Sequence, residues 1–417
     1  MLRVSPRVDL STWDPEDPDR WDPKFAWRTL WITTYNLTLA FCVWYLVSAI
    51  APRLTTIGYD LTSEQLYWLV AVPGLAGGAM RLIYMFLPPI VGTRTLVGGS
   101  ATLLLLPMIG WTLAVRNVDT PYYVLILLAA AAGVGGGAFS GFMPSTSYFF
   151  PRRMSGTALG LQAGIGNFGV SLIQFLTPWV VGFGLLGVTH ITPQEKIDGG
   201  HMWLHNAGLV LIPWVVLGMV LAAVYLRRVP VTANFREQLD IFGDRHTWYM
   251  TAIYTMTFGA FSGFAAQLGL LINAQYGSFA DAPDPLKYAF LGPLLGSATR
   301  ALWGPLCDKH GGAIWTFVAG IGMMQVMMYA FPAYVSAPGE IEHAYDALLR
   351  WASFVLTVPV VLYSATPFFA GAWRDIRARS PGMDVPVAIG IGVAFVASAW
   401  ATITGRGEVY FDSVTMF

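Results

Sequence analysis

Windows of about 20 apolar residues recur along the whole chain, each the length of helix that crosses the hydrocarbon core of a bilayer. They fall at 27–51, 67–91, 96–115, 122–147, 155–185, 203–226, 248–273, 288–306, 312–334, 350–370 and 384–404. Backbone polar groups in lipid must be satisfied within their own segment, so the expected fold is an all-α, polytopic membrane protein with about 11 transmembrane helices. Composition agrees: the 417 residues are 55% hydrophobic and 12% charged, with a mean hydropathy of +0.56. Lys plus Arg and Asp plus Glu number 24 each, which leaves no net field to attract a nucleic acid.

The placement of charge orients the bundle. Arg94 follows the second window, Arg152 and Arg153 the fourth, Arg227, Arg228, Arg236 and Arg245 the sixth, and Lys309 the eighth, whereas alternate loops are poorer in basic residues. The positive-inside rule then puts segment 1–26 in the cytoplasm, and residues 1–25 lack the apolar core of a cleavable signal. The polar stretch 227–247 becomes a cytoplasmic connector between a six-helix half, 27–226, and a second half beginning at 248. That is the layout of a major-facilitator helical bundle.

Two arginines stand alone inside apolar windows, Arg81 in the second and Arg300 in the eighth. A guanidinium at membrane depth is costly and usually functional. Their neighbourhoods also correspond: Pro73, Gly74, Leu75, Gly77, Ala79 and Arg81 align with Gly292, Pro293, Leu294, Gly296, Ala298 and Arg300. Repeated halves place such pairs at a shared midplane cavity, so an anion site is expected. Glycines crowd the fourth and fifth windows, among them Gly135, Gly136, Gly137, Gly160, Gly164, Gly166 and Gly169, at spacings that serve close helix packing or gating. Gln162, Asn167 and Gln174 sit among them and need polar partners. Cys42 and Cys307 have no metal-ligand spacing, and neither a metal nor a cofactor is expected. The methionines Met323, Met324, Met327 and Met328 read as core more readily than as a copper site.

The run Gly135-Gly136-Gly137-Ala138-Phe139, then Ser147-Tyr148-Phe149-Phe150-Pro151-Arg152-Arg153, then Gly156 through Ser171, resembles the nitrate/nitrite porter family, a branch of the major facilitator superfamily. The likeness extends from about residue 27 to about residue 322. It implies that Arg81 and Arg300 grip a planar anion, that Phe139, Tyr254 and Phe258 sandwich it, and that Gln162 and Asn167 line its site. It also implies a monomeric carrier in a bacterial inner membrane, with nitrate or nitrite and the lipid bilayer as its partners. Physical chemistry points the same way, because a guanidinium offers bidentate hydrogen bonds to a flat oxyanion and aromatic rings shape a slot. Ala138 and Ser145 replace asparagines of the family pattern, and Gln162 replaces another, which bears on the choice between nitrate and nitrite.

The windows before residue 310 carry no Asp, Glu or Lys at mid-depth, and His190, His201, His205 and His246 fall in loops or at helix ends. Proton-driven carriers place a titratable group in the pathway, so exchange of one anion for another is favoured over proton symport.

After Gly322 the likeness changes. Thr357-Val358-Pro359-Val360-Val361, Pro367-Phe368-Phe369, Gly371-Ala372-Trp373-Arg374, Gly382-Met383-Asp384-Val385-Pro386 and Gly407-Glu408-Val409-Tyr410-Phe411-Asp412 resemble the first membrane helices of a copper-transporting P-type ATPase. The Cys-Pro-Cys and Asp-Lys-Thr-Gly motifs of such an ATPase do not occur, so no ATP hydrolysis is expected. The expected organisation is thus a first half 27–226, connector 227–247, the start of a second half at 248–322, and a foreign segment 323–417, making the second half incomplete or chimeric. Two other readings are a non-transporting fusion product that carries an ATPase fragment and a carrier of another small organic anion.

Overall fold

The computed structural model describes residues 10–184, 192–197, 199–228, 233–276, 288–310, 343–361, 365–377, 384–405, 407 and 409–416. The expected window at 312–334, with Met323, Met324, Met327, Met328 and the boundary at 322, lies outside the described residues. The chain divides into two compact units: Met1–Ala252 with Ser262–Lys309, and Ile253–Phe261 with His310–Phe417.

The first unit is helical apart from a short antiparallel ribbon. In order its helices are α1 (Pro23–Trp44), α2 (Leu46–Leu54), α3 (Ser63–Tyr84), α4 (Leu87–Val91), α5 (Thr93–Ala114), α6 (Tyr122–Ala132), α7 (Val134–Ser147), α8 (Ser155–Val180), α9 (Asn206–Leu209) and α10 (Ile212–Tyr225). Strands β1 (Gln194–Glu195) and β2 (His201–Met202) pair antiparallel before α9. Helix α11 (Arg245–Tyr276) follows the connector, and α12 (Leu291–His310) carries Arg300.

Local chemistry sets these boundaries. Asp22 caps α1 by accepting from the Lys24 and Phe25 amides at 2.9 and 3.2 Å, and Pro23 opens the helix where a missing N–H costs nothing. Thr62 and Gln65 form a reciprocal capping box at the start of α3. The window 67–91 divides because Pro88 and Pro89 cannot continue the hydrogen-bond ladder of α3, and they sit in the first turn of α4. The window 122–147 bends at Gly133, between α6 and α7. A Cβ there would come within 2.5 Å of the Ala76 side chain, so glycine is what lets this corner touch α3.

Helix α1 is the centre of the unit, buried against α7 and α8, while α3 packs on α6 and α7, and α5 on α10. The segment before α1 straps onto the corner between α7 and α8. Trp13 and Trp21 donate their indole N–H groups to the carbonyls of Tyr148 and Phe149 at 3.2 and 2.9 Å. The rings of Trp13, Phe25 and Phe149 meet edge to face at centroid distances of 5.5 to 5.7 Å.

The second unit includes α13 (His343–Pro359), α14 (Thr366–Arg377), α15 (Asp384–Thr404) and α16 (Phe411–Met416), around a small core of Ala365, Ile391 and Val414. The window 350–370 holds two helices here, α13 continuing through a π turn at Val360 and Val361 before α14.

Among the described residues, seven helical stretches are long and apolar enough to cross a membrane: Pro23–Ile57, Ser63–Tyr84, Thr93–Ala114, Tyr122–Ser147, Arg152–Val180, Asn206–Tyr225 and Val385–Thr404. Phe261–Ala274 and Ala347–Val358 are shorter apolar helices. Leu75, Leu82, Leu127, Trp179 and Val224 lie on their exposed faces, as lipid contact requires. The fold is all-α and polytopic.

The indole bonds of the strap are testable. Trp21→Phe keeps the ring and removes the donor to Phe149, which should cost about 1 kcal/mol and lower the melting temperature of the detergent-purified protein. An unchanged melting curve would show that the strap does not stabilise the corner.

Candidate functional site

Arg81 lies near the end of α3 and Arg300 midway along α12, and both are half-buried. Phe139, on α7, is 6% exposed and meets both: the guanidinium carbon of Arg81 is 5.1 Å from its ring centroid and that of Arg300 is 5.4 Å. Both cations are within cation–π range of one ring. The Nε–H of Arg81 also donates to the Gly136 carbonyl at 3.1 Å, which fixes the plane of the guanidinium. The two charges are therefore no more than about 10.5 Å apart, where they repel by at least roughly 1.6 kcal/mol at an effective dielectric constant near 20. An anion held between them reverses that penalty.

The glycines bring these elements together. Gly136 and Gly137 face α1 and α3, where an added Cβ would meet Trp44 at 2.6 Å and Met80 at 2.7 Å, and Gly135 backs onto α1 at Ala40 and Trp44. On α8, Gly160 and Gly164 face Gly304 and Ala301 of α12 at 2.7 and 2.6 Å, whereas Gly166 and Gly169 face α1. One glycine-rich helix therefore touches both α1 and the helix of Arg300.

The amides are deeply buried. Gln162 is fully buried and donates from Nε2 to Thr33 Oγ1 at 3.1 Å and to the Phe142 carbonyl at 3.3 Å, joining a chain in which Thr33 also meets Thr146 at 3.0 Å. Asn167 is 3% exposed. Its Oδ1 and the Oε1 of Gln162 accept no hydrogen bond among the described residues. Gln174 donates to Ser48 and to the Ala265 carbonyl at 3.2 and 2.8 Å.

Arg81, Phe139 and Arg300 thus come together in the first unit. Tyr254 and Phe258 fall in the second, one helical turn apart on α11, with rings stacked at 5.3 Å and 5° between their planes. Sequence reasoning missed Asp308. Its carboxylate accepts from the Gly156 and Thr157 amides at 2.8 and 2.6 Å and from the Thr157 hydroxyl at 2.6 Å, capping the start of α8 from α12. Nothing in the spacing of the sequence reveals a cap supplied 151 residues away. Trp44 was likewise one of 16 tryptophans with no distinguishing motif.

The chain is 58% identical over 341 residues to the probable nitrate/nitrite antiporter NarK2 of Thermus thermophilus, which covers 80% of this chain and 77% of that protein. It belongs to the nitrate/nitrite porter family of the major facilitator superfamily. The nitrate/nitrite transporter NarU of Escherichia coli is 35% identical over 342 residues, 80% of this chain and 71% of its own. A different relative, the nitrogen fixation protein FixI of Bradyrhizobium diazoefficiens, is 32% identical over 99 residues, 24% of this chain and 14% of its own. No protein-family model matches. As a porter of this family the chain is a membrane transporter and not an enzyme.

Asp308→Ala removes an acceptor shared by three donors at a helix start. The loss should be about 1 to 2 kcal/mol, read as a lower melting temperature, and Asp308→Asn should restore only part of it, because its amide keeps one of the two accepting oxygens. An unchanged melting temperature in Asp308→Ala would show that the cap does not stabilise the start of α8.

Proposed function

We propose that the protein carries nitrate and nitrite across the membrane by alternating access, exchanging one anion for another. The anion is held by Arg81 and Arg300 against Phe139, with Gln162 and Asn167 supplying amide contacts. The amino terminus is cytoplasmic, the carrier is a monomer, and Gly135, Gly136, Gly137, Gly160, Gly164, Gly166 and Gly169 let the helices pack and move closely. The observation that carries the reading is the convergence of two guanidinium groups on one phenyl ring, at 5.1 and 5.4 Å. Exchange is supported by charge placement: Lys24 and Glu64 fall in the first turns of apolar spans, leaving Arg81 as the charged side chain in the rest of α3. It is supported too by the naming of one relative as a probable antiporter.

Uptake of labelled nitrate and nitrite into proteoliposomes tests this. Saturable uptake that requires internal anion is the expected result, and uptake driven by a proton gradient without internal anion would refute exchange. Arg81→Lys and Arg300→Lys should each raise KM by about tenfold or more, since a point ammonium cannot reproduce the planar fork. Unchanged kinetics in both variants would remove the arginines from the site.

For residues 323–417 we propose a membrane fragment of the copper P-type ATPase kind that performs no ATP chemistry of its own. The resemblance of its motifs supports this. Incubation with labelled ATP and copper should give no phosphorylated protein, and a copper-dependent acid-stable phosphate would overturn the proposal.

A further inference from the structure

Trp44, the last residue of α1, is 4% exposed and lies where α1, α3 and α7 meet. Its indole fills a notch that two glycines leave open: a Cβ on Gly77 would come within 2.9 Å of the ring, and one on Gly136 within 2.6 Å. Neither distance is tolerated by a real side-chain carbon, so the ring has room only because both positions lack one. The indole N–H donates to the Pro73 carbonyl at 2.7 Å, which fixes how the ring is turned.

The guanidinium carbon of Arg81 is 5.6 Å from this ring. Helix geometry explains the meeting. A long side chain leans toward the amino end of its helix, over the residue four positions earlier, which for Arg81 is Gly77. The side chain missing at Gly77 therefore opens both the path that the arginine crosses and the slot that the indole occupies. Gly136 serves both groups as well, admitting the indole at its Cα and accepting from Arg81 Nε at its carbonyl.

We propose that Trp44 is a positioning residue for the anion site: locked by Gly77, Gly136 and Pro73, its indole holds the Arg81 guanidinium in the plane and place from which it meets a flat anion. This rests on the reading of Arg81 as an anion ligand. Trp44 acts through the arginine and does not itself touch the anion. A loosened guanidinium must be ordered when the anion binds, and that lost preorganisation weakens binding in every state that holds the anion. The signature is a raised KM at nearly constant Vmax.

The test uses full-length protein in proteoliposomes, initial rates of labelled nitrate exchange, and the variants Trp44→Phe, Trp44→Leu, Arg81→Lys and Trp44→Phe with Arg81→Lys. Trp44→Leu should raise KM roughly tenfold and Trp44→Phe about threefold. The double variant should transport no worse than Arg81→Lys alone, because residues that act as a unit are not additive. Should Trp44→Leu fail to fold, Trp44→Phe and the double variant decide the matter, since a purely structural tryptophan would lower the folded yield and leave KM in place. An unchanged KM in the folded Trp44 variants, or an effect that adds in full to that of Arg81→Lys, overturns the inference. A raised KM in Arg81→Lys beside an unchanged one in Trp44→Phe defeats the role of Trp44 alone. An unchanged KM in Arg81→Lys overturns both this inference and the anion site beneath it.

Discussion

At the middle of a membrane helix a guanidinium costs from about 2.5 kcal/mol upward, and this chain sets two guanidinium groups, one from near the end of α3 and one from midway along α12, against one phenyl ring. The ring face offsets part of that cost, at about 0.5 to 2 kcal/mol for each cation. It can do so only where α3 and α12 both approach α7 closely enough for Arg81 and Arg300 to reach Phe139. On the α3 side the approach is made by Gly77, Gly133, Gly136 and Gly137, none of which leaves room for a side chain. On the α12 side it passes through α8, whose Gly160 and Gly164 lie against Gly304 and Ala301. The dense glycine content of two adjacent helices and the pair of half-buried cations are thus one physical problem: without interhelical hydrophobic drive in lipid, small residues bring the backbones near enough for short polar contacts.

How much of this was legible in the sequence depends on what each signal measures. Hydropathy reports the preference of a segment for lipid, so the windows that became α3, α5, α8, α10 and α15 could be read directly, and lone charges such as Arg81 and Arg300 stood out against them. Proline chemistry is local, and the break before α4 follows from Pro88 and Pro89. The partners of a residue across the bundle are not local. Gln162 reads in sequence as an amide that needs company, but only the fold supplies Thr33 and the Phe142 carbonyl as that company. Trp44 in sequence fits an interface belt and helix packing equally well, which assigns it no role. Its burial in a glycine notch depends on Gly77 and Gly136 arriving from two other helices.

The contact between α8 and α12 has a property that side-chain packing lacks. Gly156, Gly160 and Gly164 meet Gly304, Ala301 and Asp308 largely backbone to backbone, so separation there withdraws no interlocked side chains. What opposes it is directional: the Asp308 carboxylate accepts three hydrogen bonds from Gly156 and Thr157, at the positive end of the α8 dipole. A cap of that kind contributes about 1 to 2 kcal/mol, which is the scale on which a bound ligand shifts a two-state equilibrium. Any movement that parts the start of α8 from the end of α12 must break all three bonds together. Resistance to that movement therefore resides in one carboxylate and two adjacent residues, while the glycines above them keep the remaining separation shallow.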